Sequence, residues 1–389
     1  MKSQKLIIYS TLLLDIIWIA VIIPAFPELK AYYWINDFQV TLWLTIYSLF
    51  AFLSAPLLWQ ISDKIGRKTS LARCVFGTFL SYLVLLITKQ YWIFILSRAI
   101  NGITGGNISI LQAILTDISP DKETKAKNFW LMGAIFGLGF IIWPVIGALI
   151  LRYGDVWTIF AFGAIFALIE VLLIVFNFKN TNILDEAKKL TYNSFVVMKK
   201  YLKKPILRNF IVSLGLLGIG TFTINASQSL YMNNLFGTTG EQYGYFLAII
   251  WVLSALNLWL LVPKFWLKKF SPKQVIMISH ITLIVWYILI WLSQNFVLFV
   301  AFFYVTMILW NIYMPVYNVE IMSKAKPNEI WEISGMLGWL QSLFMFIWPL
   351  IWWILLNYHI NIFIWAVICF VLSLAVMSRY FVNVSRSRQ

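Results

Sequence analysis

Twelve apolar blocks, each close to 20 residues long and separated by polar loops, constrain this chain more than any other feature. A helix of about 20 residues crosses a hydrocarbon core of about 30 Å. Inside that core a segment must satisfy its own backbone hydrogen bonds, so helices are the economical solution. The blocks are expected as transmembrane helices near 6–26, 40–61, 69–88, 91–117, 129–151, 156–177, 209–231, 243–263, 274–292, 296–320, 333–356 and 360–383. Composition agrees: 61% of the residues are apolar, 12% are charged, and the mean hydropathy is +0.82. A soluble globule of this length could not hide that much apolar surface. The first block is too long, and carries Asp15 too early, for a cleaved signal peptide.

Lysine and arginine placement sets the orientation. Basic residues crowd the N-terminus and the alternate loops on its side, including Lys64, Arg67, Lys68, Lys122, Lys125, Lys127, Lys264, Lys268, Lys269, Lys324 and Lys326. The opposite loops carry only Lys30, Lys89 and Arg152. Both termini are therefore expected in the cytoplasm. The net charge of +15 is accounted for by bases facing an anionic leaflet, with no nucleic acid required. Cys74 and Cys369 lie in different blocks and imply neither a disulfide nor a metal site, and the isolated His280 and His359 are not read as ligands.

The longest polar interruption, 179–208, is lysine-rich and weakly amphipathic around Leu190–Leu202. It divides the chain into an N-terminal six-helix bundle (1–178) and a C-terminal one (209–389). Internal echoes support the division: Trp143-Pro144-Val145-Ile146-Gly147 in the fifth block returns as Trp348-Pro349-Leu350-Ile351-Trp352 in the eleventh. Such halves place a substrate site between them near the membrane midplane.

Four motifs carry a resemblance. They are Trp59-x-x-x-Asp63-Lys64-x-Gly66-Arg67-Lys68 after the second block, and Arg98-x-x-Asn101-Gly102-Ile103-Thr104-Gly105 leading to Asp117 in the fourth. The others are Gly139-x-x-x-Trp143-Pro144-x-x-Gly147 in the fifth, and Leu14-Asp15 followed by Pro24-x-x-Pro27 in the first. With them the chain resembles the major facilitator superfamily, and within it the drug:proton antiporters similar to bacterial tetracycline efflux proteins. The resemblance implies an all-α membrane protein of twelve transmembrane helices in two pseudo-symmetric halves. It further implies proton-coupled export of a small amphipathic compound across the cell inner membrane by a multi-pass monomer without cofactors. In this reading the Gly139, Trp143, Pro144 and Gly147 motif packs helices.

The residues suit that chemistry. Asp63 and Arg67 stand four apart and can face each other at a helix end, with Lys68 and Asp117 near in topology, as a cytoplasmic gate. Asp15 and Arg98 lie within apolar blocks, where charges are costly and a functional role is the first hypothesis. Asp15 is assigned to proton coupling, with Arg98 governing proton release and Glu170 as a second carboxylate. Asp15 also has a structural reading, as a carboxylate paired within the bundle. Thr104, Asn107, Gln112, Asn225, Gln228 and Gln341 are candidates for the substrate cavity, though interhelical hydrogen bonding explains any one of them equally well. A metabolite or sugar uniporter or symporter of the same fold is the nearest alternative, and a non-transporting scaffold or sensor is a more distant one. An enzyme is not expected, because no HExxH, nucleophile elbow, glycine-rich phosphate loop or intramembrane His/Cys cluster occurs.

Tryptophan is the anomaly. The chain holds 20 Trp against 19 Gly, whereas membrane helices favour glycine for close approach. Trp18, Trp59, Trp143, Trp266, Trp310, Trp331, Trp348, Trp352 and Trp353 stand where the motifs or their repeats ask for glycine. A gene that reads UGA as glycine, translated with tryptophan instead, accounts for all nine; the alternative is a genuinely Trp-rich, diverged transporter with altered packing.

Overall fold

The computed structural model describes residues 2–180, 194–324 and 330–386, which are helical with short connections and contain no strand. The helices are α1 (Lys2–Asp15), α2 (Ile17–Ala20), α3 (Phe26–Tyr33), α4 (Asp37–Ile65), α5 (Arg67–Ile87), α6 (Tyr91–Ile103), α7 (Asn107–Asp117), α8 (Lys122–Tyr153) and α9 (Val156–Asn177). They continue as α10 (Ser194–Leu202), α11 (Pro205–Phe236), α12 (Gly240–Leu256), α13 (Leu267–Lys269), α14 (Pro272–Leu292), α15 (Phe296–Ser323), α16 (Ile330–Asn357) and α17 (Ile362–Arg386). Among the described residues eight helices are long and apolar enough to cross a membrane, and shorter apolar helices cover Phe296–Trp310 and Phe346–Asn357. Much of the lysine-rich interruption lies outside the described residues; within it α10 is seen.

Local chemistry sets several boundaries. Asn36 and Gln39 form a reciprocal capping box at the start of α4, as Ser271 and Gln274 do for α14. Asp121 and Asp155 accept from Thr124 and Thr158 N–H groups and begin α8 and α9.

Two of the expected blocks in the first half are interrupted, and the eighth passes from α12 into a π-helix at Asn257–Trp266. The first stops at Asp15, resumes briefly as α2, and then tightens into a 3-10 turn at Ile23–Ala25 around Pro24. Proline has no N–H to continue the ladder. The fourth opens between Ile103 and Asn107, at Thr104-Gly105-Gly106. Glycine is needed there for space: a Cβ on Gly102 would sit 2.5 Å from the Tyr47 carbonyl oxygen, and one on Gly106 would sit 2.7 Å from Leu58 Cβ. The backbone of this stretch thus lies directly on α4.

Contacts gather Met1–Tyr192 with Ser229–Trp251 into one compact unit, and Asn193–Gln228 with Val252–Gln389 into another. In the second unit α14 packs between α15 and α17, with Tyr287 against Phe363 and Phe370. His280 is buried there, its ring nitrogens bonded to the Ile276 carbonyl and the Ser373 hydroxyl. In the first unit α5 and α9 share the largest helix interface, and α8 lies along the broken first block.

That last packing depends on two glycines of the fifth-block motif. A Cβ on Gly139 would meet Ile16 Cδ1 at 2.9 Å, and one on Gly147 would meet the Val21 carbonyl oxygen at 2.7 Å. A backbone oxygen cannot swing aside as a side chain can. Gly147→Val is therefore expected to lower stability by about 1–3 kcal/mol, read as a lower thermal unfolding midpoint of the detergent-purified protein. An unchanged midpoint would mean that α8 does not pack this closely.

Candidate functional site

Asp15 ends α1 and Asn107 begins α7, so each stands at one of the two helix interruptions. The interruptions meet: the Asn107 amide donates to Asp15 Oδ1. Asp15 is 3% exposed and Asn107 is 4% exposed, which excludes water from the contact. The start of a helix presents free N–H groups and a partial positive charge, so the opening of α7 is a favourable neighbour for a carboxylate.

Glu170 on α9 is equally buried and lies within electrostatic reach of Asp15. Its Oε1 has no hydrogen-bond partner among the described residues. Neither carboxyl group forms an ion pair among those residues. Arg98 does not supply one. It is fully buried, with Nε and Nη2 donating to Ser97 Oγ at 3.2 and 2.6 Å. Its guanidinium lies over the rings of Trp43 and Tyr82, 5.1 and 5.5 Å from their centroids, an attraction strengthened by the lack of water. Ser97 is itself fixed by donating to the Ser81 carbonyl at 2.7 Å. The three expected coupling residues thus divide into a carboxyl pair and a separately caged arginine.

The expected gate residues come together around Arg67, at the start of α5. Its Nη2 pairs with Asp63 at 2.5 Å, its Nε with Asp117 at 3.0 Å, and its Nη1 donates to Ser62 Oγ at 2.5 Å. Gly66, between α4 and α5, has φ +99°, a conformation that glycine alone adopts without strain. This turn brings Arg67 back toward Asp63. Lys68 is not part of the cluster; its backbone N–H is held by Asn180 Oδ1 at 3.2 Å.

A second polar set, which sequence reasoning passed over, lies at the opposite ends of these helices. Glu28 Oε1 accepts from the N–H of Gly240, the first residue of α12, at 2.6 Å. Lys30 pairs with Asp37 at 2.5 Å, and Asp37 accepts from the Asn234 amide at 2.6 Å. Arg152 pairs with Glu241 at 3.6 Å, and Lys89 lies 4.5 Å above the Tyr32 ring. All three basic residues of these sparse loops are therefore partnered. The available signal was the rarity of carboxylates there, since Glu28 and Asp37 flank a loop with one lysine.

The cavity candidates scatter. Thr104 packs against Gly77, where a Cβ would overlap it, and its hydroxyl donates to the Ile100 carbonyl at 2.9 Å. Gln112 and Asn225 are exposed, whereas Gln228 is buried. Thr104, Asn107 and Gln112 belong to the first unit, Asn225 and Gln228 to the second. The side chain of Gln341 lies outside those described.

The match to the family model described as Major Facilitator Superfamily runs over residues 8–349. The chain belongs to the Major Facilitator Superfamily. The class H tetracycline resistance protein of Pasteurella multocida is 26% identical over 374 residues, covering 92% of this chain and 90% of that protein. The class C protein of Escherichia coli is 34% identical over 155 residues, 39% of each chain. Among solved structures, the human organic anion transporter MFSD10 (TETRAN) superposes with a TM-score of 0.70 at 17% identity, covering 97% of this chain and 99% of that one. The nucleoside transporter NupG gives 0.69 at 16% identity, covering 98% of each. These structures share the fold.

In this superfamily member the tryptophans at motif positions behave unequally. Trp143 is buried, donates from Nε1 to the Leu13 carbonyl at 2.8 Å and meets the edges of Phe162 and Phe166. Trp348 and Trp352 are buried with indole N–H groups that have no partner among the described residues, an arrangement that costs stability. Trp353 is half exposed. The side chains of Trp18, Trp59 and Trp331 lie outside those described. Mass spectrometry of the protein from its native source is expected to find glycine at 59, 143 and 348. Tryptophan in those peptides would end the UGA reading.

Glu28 yields a pH prediction. Desolvation outweighs the Gly240 hydrogen bond and pushes its carboxyl up from the ordinary glutamate range. A raised value means that the buried site favours the protonated carboxyl, so the stability linked to Glu28 burial is fully present below the ordinary range and is lost as pH rises through the shifted value, as ionisation makes the burial costly. Amide protection at the start of α12, corrected for intrinsic exchange, should accordingly fall as pH rises from acid to neutral. Glu28→Gln should remove that dependence. A wild-type profile matching the variant would refute it.

Proposed function

We propose that this superfamily member is a proton-coupled exporter that exchanges a small amphipathic compound for protons by alternating access. The supporting observation is the Asp15–Asn107 contact, where two interrupted helices meet beside a second carboxyl group. Two buried negative charges with no cation beside them are expensive, and taking up a proton removes that cost. Discontinuous helices also mark coupling-ion and substrate sites in secondary transporters, because freed backbone groups and helix ends supply ligands. Asp15 carries the coupling proton, Glu170 tunes it through charge, and Arg98 holds the packing of α4, α5 and α6 around it. The Arg67 cluster with Asp63 and Asp117 is the cytoplasmic gate.

In this reading twelve transmembrane helices form two six-helix halves, 1–178 and 209–389, with both termini in the cytoplasm of a cell whose inner membrane holds the protein as a monomer. The tetracycline resistance relatives support a drug-like, amphipathic cargo for export.

Inverted membrane vesicles containing the protein test the coupling. An acid-inside gradient is expected to drive tetracycline uptake, and a protonophore to abolish it. Uptake indifferent to the gradient would favour a uniporter, and no uptake of any tested solute would favour a scaffold or sensor.

A further inference from the structure

A groove outside this machinery runs between α5 and α9, beginning at the Arg67 end of α5. It is about 370 Å³ in volume, open to the side, and lined by Lys68, Thr69, Ala72, Arg73, Phe76, Val171 and Val175. The two helices arrange these residues by type. On α5, Lys68, Ala72 and Phe76 recur every four residues and form one stripe, with Thr69 and Arg73 in the row beside it. At 1.5 Å per residue, the path from Lys68 to Phe76 is about 12 Å long. Lys68 stands at one end of this path and Arg73 past its middle, while Ala72, Phe76, Val171 and Val175 supply the apolar lining.

The Lys68 end of α5 is tied to the chain just after α9. Asn180 holds the Lys68 backbone N–H, Gln4 Oε1 accepts from the Lys179 N–H at 2.9 Å, and Gln4 Nε2 donates to the Asn177 carbonyl at 3.1 Å. None of these bonds uses the side chain of Lys68 or Arg73. Neither Lys68 nor Arg73 forms an ion pair among the described residues. The surrounding surface is apolar and outward-facing: Phe76 is 45% exposed, Val175 43%, Leu172 44% and Phe176 76%. Such a surface faces lipid rather than water.

We propose that this groove is a binding site for an anionic phospholipid, with the phosphate held between Lys68 and Arg73 and an acyl chain lying along Ala72, Phe76, Val171 and Val175. Charge and shape identify the occupant together. A water-soluble anion would leave the apolar walls bare, and a zwitterionic lipid would leave two positive charges without a net counter-charge. Basic pockets between transmembrane helices recognise acidic headgroups in this way. The site does not depend on the transport reading, because none of its contacts involves Asp15, Glu170 or Asn107.

Native mass spectrometry of the full-length protein, equilibrated with phosphatidylglycerol and phosphatidylcholine at equal mole fraction, tests it. Phosphatidylglycerol should be retained preferentially. Arg73→Gln should reduce that retention about fivefold, the loss expected for one basic residue near an anionic surface. Ala72→Phe, which fills the groove, should displace both lipids, and Lys273→Gln, on the exposed start of α14, should change nothing. Crosslinking of the unaltered protein with phosphatidylglycerol carrying a photoreactive acyl chain needs no variant and should label peptides spanning 68–76 and 171–175. Equal retention of the two lipids, retention insensitive to both groove substitutions, or labelling elsewhere would overturn the proposal.

Discussion

The hydrogen bond from Asn107 to Asp15 joins two places where membrane helices come apart, and much of the first unit is arranged to make that junction possible. A helix break inside a bilayer exposes backbone groups that lipid cannot satisfy. It persists only where neighbouring protein encloses it. Here α4 covers the fourth-block break at Gly102 and Gly106, while α8 covers the first-block break through Gly139 and Gly147. The two breaks that bring Asp15 and Asn107 together are thus covered by helices that approach them closely at glycine.

Two polar clusters bracket this junction along the helices, and they are built differently. The Arg67 cluster concentrates two carboxylates and a hydroxyl on one guanidinium, whose fixed fork suits several acceptors at once. Breaking it strands charges that are largely removed from water. The set around Glu28, Lys30, Asp37 and Glu241 spreads over several weaker contacts, one of which is a carboxylate at the first N–H of α12. A spread-out set with a titrating member responds to pH in a graded way.

The helices were legible because bilayer thickness imposes a length and a composition that sequence displays directly. The breaks were less so. Pro24 and the Gly105-Gly106 pair are visible signals, but nothing in a linear pattern says that one interruption will face the other. The Asp63–Arg67 pairing followed from spacing, and the approach of Asp117 followed from topology. Lys68 shared that reasoning yet forms no ion pair among the described residues and lines the groove between α5 and α9 instead. Arg98 looked like a partner for a carboxylate; Ser97 and two aromatic rings hold it instead. Those rings come from separate helices, so their convergence is a property of the packing and not of any local motif. Glu28 was hidden for a similar reason, because its partner is a backbone N–H more than 200 residues away.

The central claim is that Asp15 carries the proton that is exchanged for cargo. Proteoliposomes containing Asp15→Asn test it most directly, by comparing substrate-for-substrate exchange with accumulation driven by a pH gradient. Removing a proton carrier while keeping the hydrogen bond to Asn107 should leave exchange intact and abolish accumulation. Accumulation at the level of the unaltered protein would contradict the claim, and loss of exchange together with accumulation would give Asp15 a structural role instead.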